Sequence, residues 1–528
     1  MKRFLYRGIT TISCAAVLLF CASGCSEKDF TKVTLSQGTY SGVEEGKVLS
    51  FKGLPYAKPP VGELRWRAPQ SLPASSQTVV ADTYGNRCMQ RPAGNMPMPD
   101  KEKFTQPESE DCLYLNIYRP AGNKESLPVM VWIPGGGLVN GSGSRPVNHG
   151  GKLAEKDVMV VAINYRLGSF GFFAHPELSK ENADDGRLFN YGLMDQIAAL
   201  EWVQANIAAF GGDPANVTIF GESAGGYSVD ALVATQSGKG LFHRAISQSG
   251  YGRGEQPVVA ALAEDDSSRV IEQQGVEFAE RAGNKDMSLE ALRAMPAEAV
   301  VAATNFASFI ELAVDGVVIP DNIEALYRAR MQAKIPLLLG ANDFEFGMVP
   351  PDAQNGLMTP LLPKGAMDTL VEDYGSDVLR DTFLYSDFVF HSQLRMLAQL
   401  HEEAGQSVFI YRFGMPGTWS KTQDTPSGKV YGSPHAADLP YVFGNFTGDH
   451  SESVPPSERQ LTVSSQMMDY WVNFASNGNP NHAALPDWPE YSEGKIMLFN
   501  PDTTAAVKDP WIQRLDKLNG FLFAGKDN

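Results

Sequence analysis

Three runs of the chain are apolar almost without interruption: Val129-Met130-Val131-Trp132-Ile133, Val158 to Ile163, and Val217-Thr218-Ile219-Phe220. Short runs of this kind fit strands buried on both faces of a sheet, because a half-exposed strand would alternate with polar residues. Between the second and third runs Leu193, Ile197, Leu200 and Val203 recur at helical spacing. That spacing predicts a helix extending from Leu200 to Phe210 and ended by Gly211-Gly212-Asp213-Pro214. Lys334 to Leu339 and Val408 to Tyr411 read as further strands, and residues 255–330 and 360–405 as mainly helical. The N-terminal part reads as strands and turns from Gly38 to Phe51, followed by a Pro-rich loop from Leu54 to Gly62 and a polar, Pro- and Met-rich surface loop between Cys88 and Cys112. Strands alternating with helical stretches predict an α/β fold: a central, mostly parallel sheet flanked by helices, with helical insertions rather than separate domains. A length of 528 residues would suggest three domains by a simple prior, which large α/β enzymes exceed; residues 25–528 are read as one domain.

The third apolar run ends in Gly221-Glu222-Ser223-Ala224-Gly225, and a helix-compatible run from Tyr227 to Val233 follows. Strand, glycine-flanked serine and helix make a nucleophile elbow, in which a sharp turn lifts the serine hydroxyl clear of the sheet edge. A serine hydroxyl is a poor nucleophile at neutral pH and needs a base, usually a histidine oriented by a carboxylate. Five of the eight histidines lie well past Ser223: His391, His401, His435, His450 and His482. His435 is the best placed, since Gly432-Ser433-Pro434 makes a turn just before it, and such loops carry functional side chains over a sheet edge. His391 and His401 lie in helical surroundings and are read as surface residues. The acid should follow a strand, and the run ending at Leu339-Gly340 offers two candidates, Asp343 and Glu345. Gly135-Gly136-Gly137 follows the strand ending at Ile133, where N–H groups without side chains can approach a substrate oxygen; the N–H of Ala224 would add a further donor.

Charge and cysteine usage narrow the setting. Lys2, Arg3 and Arg7, an apolar run from Thr11 to Phe20, and Ala22-Ser23-Gly24 before Cys25 have the layout of an export signal over residues 1–24. The layout resembles a bacterial lipoprotein signal, which implies lipidation of Cys25 and membrane anchoring through it, in a protein exported to the cell envelope. Removing residues 1–24 leaves 41 basic against 61 acidic residues, a net charge of −20. So acidic a chain repels nucleic acid and anionic membrane surfaces. Beyond Cys25 only Cys88 and Cys112 remain, an even count suited to one disulfide in an oxidising compartment, with no thiol left for redox catalysis or a zinc cluster.

Together these pieces resemble the type B carboxylesterase/lipase family, which includes carboxylesterases, para-nitrobenzyl esterases and cholinesterases. The resemblance runs through Phe51 to Ala57, Ser109 to Asn116, Asn164 to Gly168, Gly211 to Pro214, Gln248-Ser249-Gly250 and Gly478-Asn479-Pro480. It implies an α/β-hydrolase fold and ester hydrolysis through an acyl-enzyme. By resemblance the catalytic serine is Ser223, the acid is Glu345 rather than Asp343, and the base is His435. The oxyanion donors fall on Gly136, Gly137 and Ala224, and the disulfide on Cys88–Cys112. Arg65 with Glu110, and Arg166 with Asp195, match structural ion pairs of the family. No metal or organic cofactor is implied, and the partner is a small-molecule or lipid ester. Pro134 stands where relatives often carry a pocket-lining side chain. The loop between Cys88 and Cys112 has no tryptophan, only Phe104, which speaks against a quaternary ammonium substrate. A lipase, a polyester- or toxin-degrading esterase, and a non-catalytic adhesion relative are the competing readings.

Overall fold

The computed structural model describes residues 29–90, 106–251, 256–263, 270–304, 311–345, 356, 358–359, 362–415, 423–425, 428–430, 432–446 and 455–523. The signal segment with Cys25, Phe104 and His450 lie outside the described residues.

Eleven strands form one sheet: β1 (Val43–Glu45), β2 (Val48–Pro55), β3 (Tyr114–Pro120), β4 (Leu127–Ile133), β5 (Met159–Ile163), β6 (Gly212–Glu222), β7 (Arg244–Gln248), β8 (Leu337–Asn342), β9 (Val408–Phe413), β10 (Lys495–Phe499) and β11 (Thr504–Lys508). Their order across the sheet is β11-β10-β9-β8-β7-β6-β4-β5-β3-β2-β1. The stretch from β10 to β5 is parallel, and antiparallel pairs finish both edges. A smaller sheet, Lys32–Leu35, Gly38–Ser41 and Thr78–Val80, lies outside it.

The unbroken apolar runs are explained by two cores. Val129, Val131 and Ile133 of β4 join a core with Val217 and Ile219 of β6, Leu200 and Val203 of helix α1 (Tyr191–Asn206), and Val229 and Leu232 of helix α2 (Ala224–Ala234). Met130 and Trp132 face the other way and pack with Phe220, Leu338, Phe409 and the Met467, Trp471 and Phe474 face of helix α3 (Glu458–Asn477). Successive side chains of a strand point to opposite faces, so both parities must be apolar when both faces are covered.

Several boundaries differ from expectation, two of them for a clear physical reason. α1 ends at Asn206 and tightens into a 3₁₀ turn, Ile207–Phe210, closed by Gly211 at φ 85°; Gly212 already pairs with Leu127 and opens β6. β8 starts at Leu337, three residues after Lys334, because Pro336 has no N–H for the ladder. It continues through Gly340-Ala341-Asn342, whose weak strand propensity is overridden by pairing with β9.

Cys88 and Cys112 form a disulfide across a separation of 24 residues. Arg65 Nε donates to Glu110 Oε2 at 2.7 Å, and Arg166 forms a two-pronged pair with Asp195 at 2.8 and 2.7 Å. The second pair is fully enclosed, so removing either partner would strand the other charge in the interior. Reducing the disulfide is expected to lower unfolding stability by roughly 3 kcal/mol, the loop-closure entropy for such a separation. Urea unfolding with and without reductant checks this, alongside thiol titration of the unfolded, unreduced protein. Two titratable thiols from Cys88 and Cys112 would rule the bridge out.

Candidate active site

β4 and β6 are neighbours whose following chain segments leave to opposite sides of the sheet, since β4 leads to β5 on one side and β6 to β7 on the other. Open parallel sheets place their crevice at such a point, beyond the carboxyl ends of the strands. The glycine triplet ends β4 and Ser223 ends β6, so both arrive there.

Ser223 holds φ 58° and ψ −124°, a strained conformation for a residue with a side chain. Its N–H is anchored on the Gln248 carbonyl at 2.8 Å, and α2 begins at the next residue. The flanking glycines are required for space rather than for φ. A Cβ on Gly225 would lie 2.1 Å from the Ile133 carbonyl oxygen, and one on Gly221 would lie 2.5 Å from the Gly225 carbonyl.

The structure brings Ser223, His435 and Glu345 together in one line. Ser223 Oγ lies 2.7 Å from His435 Nε2, and His435 Nδ1 lies 2.5 Å from Glu345 Oε2. Glu345 is buried, and its other oxygen accepts from the Asn342 N–H and the Ser249 hydroxyl, each at 2.6 Å. Asp343, the alternative acid, is turned elsewhere: its Oδ1 accepts the Ser433 N–H at 2.6 Å and so supports the turn that carries His435. Burial lifts Asp343 to about 7. The Phe390 ring lies 5.1 Å from the His435 ring.

Two carboxyl groups that the sequence reading did not single out crowd His435. Glu222 Oε1 is 3.3 Å from His435 Nε2, and burial raises its pKa to about 8. Asp438 accepts from Gln248 Nε2 at 2.7 Å and from the Tyr411 hydroxyl at 3.0 Å, and burial raises it as well. Burial works against a charged His435, but Glu222 and Glu345 outweigh it and raise its pKa above the ordinary histidine value. Glu222 is adjacent to the serine, and Ser249 stands in the quoted Gln248-Ser249-Gly250 motif. The signals were therefore present, but nothing in the chain says that Glu222 meets His435 or that Ser249 meets Glu345.

The glycine triplet folds back onto the elbow. A Cβ on Gly135 would be 2.3 Å from the Glu222 carbonyl oxygen, which requires glycine there. Gly136 and Gly137 have φ of 120° and 62°, and their N–H groups donate to no described backbone or side-chain group. The Ala224 N–H opens α2 and belongs to the free donors of a helix start. The Tyr165 hydroxyl donates to the Pro134 carbonyl at 2.7 Å and steadies the entry to the loop.

His391 and His401, read from the sequence as surface residues, are both buried. His401 Nε2 contacts the Ile335 carbonyl at 2.7 Å, and His391 contacts Asp387 and the Asn342 carbonyl. Helical surroundings do not reveal which face is covered, and here both histidines lie on the covered one. Among the described residues no group of three or more His, Cys, Asp or Glu side chains is arranged to hold a metal ion, and no helix is long and apolar enough to cross a membrane.

The comparisons with known proteins agree with one another. The model of the carboxylesterase family matches residues 29–384 and 372–514. The para-nitrobenzyl esterase of Bacillus subtilis (strain 168) is 33% identical over 507 residues, covering 92% of this chain and 98% of that protein. Carboxylesterase 1D of Rattus norvegicus is 35% identical over 513 residues, covering 87% and 86%. Among solved structures, a PNB esterase superimposes with a TM-score of 0.78 at 32% identity over 93% of this chain and 99% of that one. A carboxylesterase of Geobacillus stearothermophilus gives 0.77 at 30% identity, over 92% and 100%.

Proposed function

This chain belongs to the carboxylesterase family and is a carboxylic-ester hydrolase, and from that premise we propose that it works through Ser223, His435 and Glu345. The observation that carries this reading is the unbroken contact from Ser223 Oγ through both nitrogens of His435 to Glu345, at 2.7 and 2.5 Å. Neutral His435 takes the Ser223 proton at Nε2 as the oxygen attacks the ester carbonyl. Glu345 holds the ring by its Nδ1–H and stabilises the imidazolium that forms. The carbonyl oxygen becomes an oxyanion, received by the N–H groups of Gly136, Gly137 and Ala224. Collapse of the tetrahedral intermediate expels the alcohol, which leaves with the proton from His435. Water, deprotonated by the same ring, then frees the acid and restores Ser223.

Export and anchoring through a lipidated Cys25 form the second part of the proposal, supported by the basic, apolar and small-residue order of residues 1–25. The substrate is an ester, and a panel of esters varied in acyl and alcohol size would assign its class.

A fluorophosphonate that phosphonylates activated serines tests the mechanism. One equivalent should attach, on the peptide containing Ser223, at a rate that climbs as pH rises through the His435 pKa, because only the neutral ring accepts the proton. Labelling on another serine, or a rate centred below about pH 5, would remove the triad assignment, since that range belongs to carboxylates.

A further inference from the structure

A buried histidine, His391, lies beneath the catalytic acid and takes no part in the proposed reaction. The helix Asp377–Ser386 passes into a π-helical turn, Asp387–His391, before Ser392–Glu403 resumes the α-helix. Single π turns inside helices recur at functional sites, because the wider turn re-aims the side chains it carries. Here the turn sets Phe390 against His435 and places His391 under the end of β8.

The partners of His391 decide its protonation. Nδ1 is 2.7 Å from Asp387 Oδ1, and Nε2 is 2.7 Å from the Asn342 carbonyl oxygen. The Asp387 carboxyl also takes the Tyr374 hydroxyl on Oδ2 at 2.7 Å and pairs with Arg514 at 2.8 Å. Burial works against its charge, but Arg514 and the His391 and Tyr374 hydrogen bonds outweigh it and hold the carboxyl well below the usual range. An ionised carboxylate is acceptor-only, and so is a peptide carbonyl. Each short contact therefore calls for its proton on the ring, and the two together call for the imidazolium form. Burial first, and Arg412 next, outweigh Asp387 and Glu345 and pull its pKa below the ordinary histidine value. Against them, a neutral ring would set a nitrogen lone pair against an oxygen lone pair on one side or the other. The charged groups around the ring are Asp387 on its own turn, Glu345 after β8, Arg412 on β9 with Asp343 and Asp509 beside it, and Arg514 on the C-terminal helix. The Trp511 ring lies 5.3 Å away.

We propose that His391 is a positioning residue for ester hydrolysis: as a buried imidazolium it pins the Asn342 carbonyl, so that the Asn342 N–H and the Ser249 hydroxyl hold Glu345 in line with His435. The proposal rests on the triad reading above. Asn342 is the joint between the two sites, since its carbonyl meets His391 while its N–H meets Glu345 at 2.6 Å. The same positive charge opposes the hold of Glu345 on the His435 proton, so His391 also tempers the basicity of the catalytic base.

The test compares wild type, His391→Leu and His391→Gln with a soluble ester across pH. His391→Leu should lower kcat by about tenfold with KM within about twofold, as for a group that acts on the reacting centre rather than on substrate affinity. Loss of the positive charge should move the acid limb of kcat/KM up by about half a pH unit, since a like charge near His435 is removed. His391→Gln, which keeps a donor for the Asn342 carbonyl without the charge, should recover part of kcat while leaving the limb displaced. Folded variants with unchanged kcat and an unchanged limb, and only a lower Tm, would overturn the proposal. So that failure to fold cannot hide the answer, ¹⁵N-histidine NMR of the otherwise intact His435→Gln protein gives a second reading. One ring protonated on both nitrogens should persist above pH 7.5, and its absence would equally overturn the proposal. Activity surviving in Ser223→Ala would instead sink the triad reading, which keeps the two failures distinct.

Discussion

Ser223→Ala is expected to lower kcat/KM for any ester by a factor on the order of 10⁴ or more, with thermal stability close to wild type. The acyl-enzyme route needs an oxygen nucleophile 2.7 Å from His435 Nε2, and alanine supplies none. The residual rate would come from the oxyanion donors and from substrate binding alone. Stability should change little, because Ser223 is only partly buried and its hydroxyl bonds to His435. Relief of side-chain strain at φ 58° is not available to alanine, so no large gain is expected either. Steady-state kinetics with a chromogenic ester, on protein freed of contaminating esterase by affinity purification, measure the loss. Retention of more than about a tenth of the wild-type rate would take Ser223 out of the mechanism.

Glu345→Gln is expected to cost about 10² to 10⁴ in kcat, and Asp343→Asn less than about tenfold. The amide cannot stabilise the imidazolium. It can also present an N–H₂ where His435 Nδ1–H needs an acceptor, which favours the wrong ring orientation. Glu345 is held in place by the Asn342 N–H and the Ser249 hydroxyl, so the substituted side chain should stay where the carboxylate was, and the loss should be electrostatic rather than structural. Asp343 supports the turn before His435 through the Ser433 N–H, a bond that an asparagine oxygen can still accept. Its effect should appear mainly as a lower Tm. The two variants measured side by side decide the assignment, and a reversed ranking would mean that Asp343 is the acid.

Much of this protein is legible along the chain because its signals are local. Apolar runs mark strands covered on both faces, and the glycine-flanked serine after β6 marks an elbow whatever else surrounds it. The order of family motifs, from Phe51-Lys52-Gly53 to Gly478-Asn479-Pro480, carries the fold and the class of chemistry. Residue spacing alone left Asp343 and Glu345 open, and only the resemblance favoured one of them. The tertiary structure separates them in space: two residues apart at the end of β8, they turn to different partners, one to His435 and the other to the Ser433 N–H. It also decided that Glu222 and Asp438 crowd the base, and that His391 and His401 are interior. A side chain's charge, burial and partner depend on what the sheet order brings against it from far along the chain. His391 and Asn342 meet across 49 residues, and Ser223 and His435 across 212. Local pattern fixes which elements form and which faces they bury, whereas the parallel alignment of β4, β6 and β8, which brings their carboxyl ends to one edge, fixes which polar groups share a space too dry for any of them to be indifferent to the others.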